Sequence, residues 1–226
     1  MCGRYTLTNA DPAVLRARFG IDGPLDFDER PRFNIAPTDP VLAVRTDAEG
    51  RREAGRLRWG LLPGEWARDG TRALINARME TIAEQPAYRD SFLHRRCLIP
   101  ADGFYEWREC ESGKQAVWIN RADGEPFAFA GIWAGLPDPG NGPVHSCALV
   151  TCEPNELVRP IHDRMPVILE PAAERPWIAP DGDPTALREL LRPMDPNALS
   201  VREVSDAVND VRQDGPHLLE PPLKLF

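Results

Sequence analysis

The chain has 226 residues, 42% of them hydrophobic and 27% charged, with 24 prolines and 17 glycines, the composition of an ordinary folded protein. No apolar run approaches the ~20 residues of a membrane-spanning helix, and Met1-Cys2-Gly3-Arg4-Tyr5 lacks the apolar core of a secretory signal, so no membrane partner and a cytoplasmic location are expected. A net charge of −8 argues against indiscriminate attraction to nucleic acid, yet residues 1–110 carry as many arginines as acids, so the whole acidic excess lies in residues 111–226.

In chain order, Asp11-Pro12 opens a helix that Gly20 closes. Short apolar runs bounded by turn residues then predict strands at 41–45, 57–60, 97–99, 117–120, 127–133, 147–151, 166–169 and 199–204. Asp47-Ala48-Glu49-Gly50 predicts a hairpin between the first two, and Ala122-Asp123-Gly124-Glu125 predicts another between 117–120 and 127–133. Weaker helices fall at 86–94 and 171–177, and a clearer one follows Asp183-Pro184. Residues 137–143, rich in proline and glycine, read as an exposed loop rather than a linker. The expected fold class is α+β: residues 1–226 form a single β-rich mixed domain, with mainly antiparallel strands and a few short helices.

Five cysteines without a C-x-x-C pair argue against a disulfide framework or a zinc site, and no ligand spacing calls for a metal. No glycine-rich phosphate loop is present, so no cofactor is implied. Cys97 and Cys147 sit in apolar runs and read as small buried hydrophobes.

Cys2 differs through its position. Removal of Met1 would leave an α-amine and a thiol on adjacent carbons. An α-amine titrates at ~7.7–8.0 and is partly neutral at physiological pH, unlike a lysine amine at ~10.4. Such an amine attacks an aldehyde, and the neighbouring thiol captures the Schiff base as a five-membered thiazolidine because the second step is intramolecular. From its position alone, Cys2 reads first as the second residue of a starting strand.

Three further segments carry chemistry. Asn76 and Arg78 lie two apart at a strand end and face one side if extended. Glu106 stands between Tyr105 and Trp107, an apolar setting that raises a carboxyl pKa. His162 lies two residues before Arg164. Each also has an ordinary reading, as a turn former, a solvated strand residue and a surface histidine.

The blocks Met1–Tyr5, Phe33–Thr38, Arg58–Pro63, Ile75–Thr81, Pro100–Trp107 and Ile161–Pro166 resemble, in order, the successive motifs of the SOS response-associated peptidase (SRAP) family of abasic-site processing proteins. The tail Val204–Asn209 resembles that family's C-terminal segment. The resemblance implies a compact barrel-like α/β core with a groove for single-stranded DNA containing abasic sites. It also implies covalent capture of the lesion through Cys2, autoproteolytic removal of Met1, and lyase-like chemistry. By motif, Cys2 is the nucleophile, Asn76 holds Cys2 and the opened sugar, Glu106 positions the amine or moves protons, and His162 is the general acid/base.

DNA contacts would come from Arg4, Arg78 and Arg164 at flanking phosphates, from the Thr151 hydroxyl, and from Trp66 as a wedge that stacks on an exposed base. Some relatives carry an aromatic at the position of Glu65. Residues 40–96 hold 11 arginines against 8 acids, which allows a local basic patch. A monomer, associated with replication forks and with the nucleoid when DNA-bound, is the expected state. Two other functions fit the residues: a thiol peptidase or amidohydrolase built on Cys2, His162 and Glu106, and a non-catalytic single-strand binding module.

Overall fold

The computed structural model describes residues 2–23, 25, 30–62, 73–111, 113–136 and 144–222, a set that leaves out the wedge candidate Trp66, its neighbour Glu65 and the predicted loop at 137–143. In chain order the elements are β1 (Tyr5–Leu7), α1 (Pro12–Phe19), β2 (Arg32–Ile35), β3 (Pro40–Thr46), β4 (Arg52–Trp59), β5 (Asn76–Arg78), α2 (Pro86–His94), β6 (Arg96–Ala101) and β7 (Gly103–Cys110). There follow β8 (Gly113–Arg121), β9 (Phe127–Leu136), β10 (Val144–Cys152), β11 (Met165–Pro166), β12 (Ile168–Leu169), α3 (Pro171–Ile178), α4 (Pro184–Glu189) and β13 (Leu199–Glu203). Short 3-10 turns at Asp206–Asn209 and Pro216–Leu219 follow the last strand.

Local chemistry fixes the helix ends where the sequence places them. The Asp11 carboxylate accepts from Ala13 N at 2.8 Å, and Gly20 stops α1 in the left-handed region at φ +61°, which glycine enters without a Cβ penalty. Asp183 caps α4 in the same way, and α2 and α3 both begin on proline.

Strands β10, β4, β3, β6 and β9 return to β10, so this sheet closes on itself as a barrel, with β5, β11 and β12 added at its margins. Closure hides the edge amides that an open sheet would expose. All its pairings are antiparallel except those of β10 with β4 and with β5. The second sheet, β13-β8-β7-β1-β2, is antiparallel throughout. Buried rings join the two sheets: Tyr5 of β1 lies 5.4 Å from Trp59 and 5.6 Å from Phe129, and Phe104 of β7 lies 6.1 Å from Phe129. Such edge-on pairs add to the burial that holds the layers together.

One predicted hairpin forms and one does not. β3 and β4 pair from Pro40↔Arg58 to Thr46↔Arg52 across the Asp47–Gly50 turn. The Asp123-Gly124 turn, however, carries the chain from one sheet to the other: β8 lies between β7 and β13, whereas β9 pairs with β6, β10 and β12. Both hydrogen-bonding edges of β8 are already taken, so a favourable turn alone does not make its flanks neighbours.

Asp102, between β6 and β7, fixes the start of the chain. Its carboxylate accepts from the hydroxyls of Thr6 and Thr8 at 2.6 Å each and from Asn9 N at 3.1 Å. With the Tyr5↔Phe104 pairing and Tyr105 N donating to Arg4 O at 3.0 Å, residues 2–4 are drawn along β7 toward Glu106.

Candidate active site

Cys2 is fully buried, and its thiol contacts Arg4 O at 3.8 Å. Asn76 reaches it from β5 and donates Nδ2–H to Cys2 O at 3.0 Å. The position of Asn76 is set on two sides, by the parallel register Leu149↔Asn76 and by the Tyr88 hydroxyl donating to Asn76 O at 3.1 Å. Its Oδ1 is buried without a hydrogen-bond partner among the described residues.

Glu106 projects from β7, is 2% exposed, and has a buried Oε1 that likewise lacks a partner among the described residues. Burial lifts its carboxyl from 4.5 to about 7, and the negative charge of Asp163 pushes in the same direction. A group that titrates there gives up and takes back protons with little driving force at neutral pH, as a general acid/base requires. Burial, followed by the charge of Glu106, also holds the Cys2 thiol well above the ordinary thiol value. The sulfur therefore rests as S–H and must lose its proton as it reacts.

His162 ends a short turn in which its own N–H donates to Val158 O at 3.0 Å. Its Nδ1 accepts from Arg164 N at 3.0 Å, while Asp163 Oδ1, on a solvent-exposed carboxylate, lies 2.8 Å from the same nitrogen. Burial lowers the imidazole pKa, so the neutral ring predominates at pH 7. His162 and Glu106 line one cavity of about 460 Å³ together with Trp107, Lys114 and Asn209. The four residues expected to do chemistry thus link in pairs: Asn76 to Cys2, Glu106 to the Cys2 thiol, and Glu106 to His162.

The expected DNA contacts divide. Arg78, at the exposed end of β5, shares a strand with Asn76 and is open to solvent. Arg4 instead points into the protein, where Nη1 donates to Asn34 Oδ1 at 2.9 Å and to Val208 O at 2.7 Å. Asn34 Nδ2 in turn donates to the carbonyls of Val208, Asp210 and Gln213, so Arg4 is joined to the C-terminal segment. Thr151 is 1% exposed, with its hydroxyl 3.5 Å from Ala77 O. Arg164 is buried and grips both oxygens of Glu80, at 2.8 and 2.9 Å, and Thr151 O at 2.8 Å. In this arrangement Thr151 and Arg164 brace β5, β10 and the loop bearing His162 rather than face solvent, because the Thr151 hydroxyl and both Nη groups of Arg164 are engaged internally. Trp66 lies outside the described residues.

Sequence reasoning gave no role to Glu80, Asn34 or Lys114. Glu80 lies two residues beyond Arg78 in the same motif, and Asn34 lies within the Phe33–Thr38 block, the signals that pointed to them; Lys114 enters only through the cavities it lines. No group of three or more metal-ligating side chains converges among the described residues. No helix among them is long and apolar enough to cross a membrane.

The family model described as SOS response associated peptidase (SRAP) matches residues 1–211. The chain is 39% identical over 225 residues to the abasic site processing protein YoqW of Bacillus subtilis (strain 168), with 97% of this chain and 99% of that protein aligned. It is 31% identical over 227 residues to the abasic site processing protein YedK of Escherichia coli (strain K12), with 98% and 100% aligned. A solved structure of a Bacteroides thetaiotaomicron protein matches with a TM-score of 0.82 at 24% identity, over 98% of this chain and 100% of that one, and so shares the fold.

Proposed function

Because the chain belongs to the SOS response-associated peptidase family, we propose that it processes abasic sites in single-stranded DNA by bonding covalently to them through Cys2, the whole chain acting as one domain. The observation that carries this reading is the linked set around the first residues: Asn76 on the Cys2 carbonyl, the Glu106 charge acting on the Cys2 thiol, and Glu106 and His162 lining one cavity.

The chemistry begins with hydrolysis of the Met1–Cys2 peptide bond by one water, which frees the α-amine of Cys2. His162 takes the proton of the C1′ hydroxyl and returns it to the ring oxygen of the abasic deoxyribose, so the C1′–O4′ bond breaks and the sugar opens to its C1′ aldehyde with no net change in protons. The amine adds to C1′, and loss of one water leaves an imine. The Cys2 sulfur then bonds to C1′ while its proton passes through Glu106 to the nitrogen, which closes the thiazolidine. One water is released overall in capture. The unpartnered Oε1 of Glu106 and Oδ1 of Asn76 suit this sequence, since the arriving amine and sugar hydroxyl are the donors they lack. Arg78 contacts a flanking phosphate, Trp66 stacks on a neighbouring base, and Arg4, Thr151 and Arg164 build the frame behind them.

The test is to mix the protein with uracil-containing single-stranded DNA treated with a uracil glycosylase. A heat-stable crosslink is expected, with intact mass showing loss of Met1 and gain of the DNA minus one water. Absence of any crosslink, or an equal yield with Cys2→Ala, would defeat the proposal. Turnover of peptide substrates without crosslinking would favour the thiol hydrolase reading instead.

A further inference from the structure

A second cavity, of about 700 Å³, adjoins the one holding Glu106 and His162, and both are lined by Trp107, Lys114 and His162. Its size falls in the range that holds a ligand of nucleotide dimensions. The Trp107 ring is fixed in place: Nε1–H donates to Asn209 Oδ1 at 2.7 Å, and its backbone is paired with Ala116 in the β7–β8 ladder. A half-exposed indole held in this way offers a flat face that costs little entropy to use.

Besides Arg164, two cations line the larger cavity, Lys114 and Arg159. Neither forms an ion pair among the described residues, Arg159 only reaching Pro154 O at 3.3 Å. Arg164, at the same wall, is by contrast paired with both oxygens of Glu80. Glu109, Glu153 and Asp163 line the cavity as well, and Glu109 stands directly across the ladder from Lys114. The mixed charge makes it a poor trap for anions in general. It suits a single phosphate delivered alongside a base, near the wall shared with the reaction cavity.

We propose that this cavity is the subsite for the nucleotide adjoining the abasic sugar on one side, with its base stacked on Trp107 and its phosphate held by Lys114 and Arg159. The inference rests on the abasic-capture reading above and assigns the two flanks of the lesion to different surfaces, Arg78 on one side and this cavity on the other.

Three glycosylase-treated oligonucleotides test it: one with the lesion internal, one with no nucleotide on its 5′ side and one with none on its 3′ side. Crosslinking rate is measured against DNA concentration and salt for the wild type, Lys114→Ala, Trp107→Leu and Arg175→Ala, the last an exposed arginine on α3 outside both cavities. On the internal lesion, Trp107→Leu should raise the half-saturating concentration about 5-fold or more, the scale of losing one base-stacking contact. Lys114→Ala should raise it and lower the salt slope by about 0.7, as for one phosphate contact on a single strand. Arg175→Ala should match the wild type. One of the two truncated substrates should erase the difference between the wild type and both subsite variants, while the other preserves it. Deficits that persist on both truncated substrates, or no deficit on the internal lesion, would overturn the subsite. Lys114 is exposed at the start of β8, so its variant keeps the test valid should Trp107→Leu fold poorly. A wild type that crosslinks none of the three would instead overturn the capture reading.

Discussion

Replacing Glu106 with glutamine should stabilise the protein at alkaline pH while disabling it. The carboxyl is pushed from its ordinary 4.5 up to about 7 in the folded chain, chiefly by burial. Between those two values the native state binds the proton that the unfolded state has lost, so stability falls as pH rises across that window. The full cost of keeping a buried carboxylate is absent below about pH 4.5 and reaches about 3 kcal/mol above pH 7. Glutamine has nearly the same shape and no charge to bury. At pH 8 the Glu106→Gln variant should therefore exceed the wild type by up to about 3 kcal/mol, or about 6–12 °C in Tm for a chain of this size. At pH 4 the two should coincide. Crosslinking should slow by about 10²-fold or more, since the amide cannot relay a proton. Thermal melts of both proteins from pH 4 to 8, paired with crosslinking rates, give the answer. A Tm difference that does not change with pH would refute the account of Glu106 burial, and a wild-type crosslinking rate would refute its role in proton transfer.

Other substitutions probe the frame. Glu80→Gln removes the charge that Arg164 grips and should cost about 1–3 kcal/mol in urea denaturation, with slower crosslinking because the loop bearing His162 loses its brace. Asp102→Ala removes the acceptor shared by Thr6, Thr8 and Asn9 and should cost about 3 kcal/mol; intact mass should also show slower loss of Met1, since the chain start loses its main tie to β7. Gly103→Ala would place a Cβ 2.3 Å from the Trp118 ring, which the ladder between β7 and β8 cannot relieve, and should lose about 3 kcal/mol or fail to fold. Gly23→Ala, with nothing within 4 Å of its Cβ, should stay within about 0.5 kcal/mol of wild type by the same assay.

The sequence by itself determined what short-range chemistry controls. Asp11-Pro12 and Gly20 bound α1, Asp183-Pro184 opens α4, and the apolar runs at 41–45, 97–99 and 147–151 lie within β3, β6 and β10. Caps and turns act through bonds between residues a few positions apart, so they are readable without a fold. The aromatic neighbours of Glu106 likewise hinted at a perturbed carboxyl. The 1,2-aminothiol latent in Met1-Cys2 follows from covalent structure alone.

Only the tertiary structure decided which strand lies beside which and which charges meet water. The turn at Asp123-Gly124 could not reveal that β8 would take β7 and β13 as partners, because those edges are filled from both directions along the chain. Arg4 and Arg164 have the charge of phosphate ligands, yet one is bound to the carbonyl of Val208 and the other to Glu80, across separations of 204 and 84 residues. The charge on Glu106 is likewise set by the β-sheet packing that excludes water from its carboxyl. Pairing and desolvation depend on distant segments converging at one point, and their free energy exists only once the chain has closed around that point.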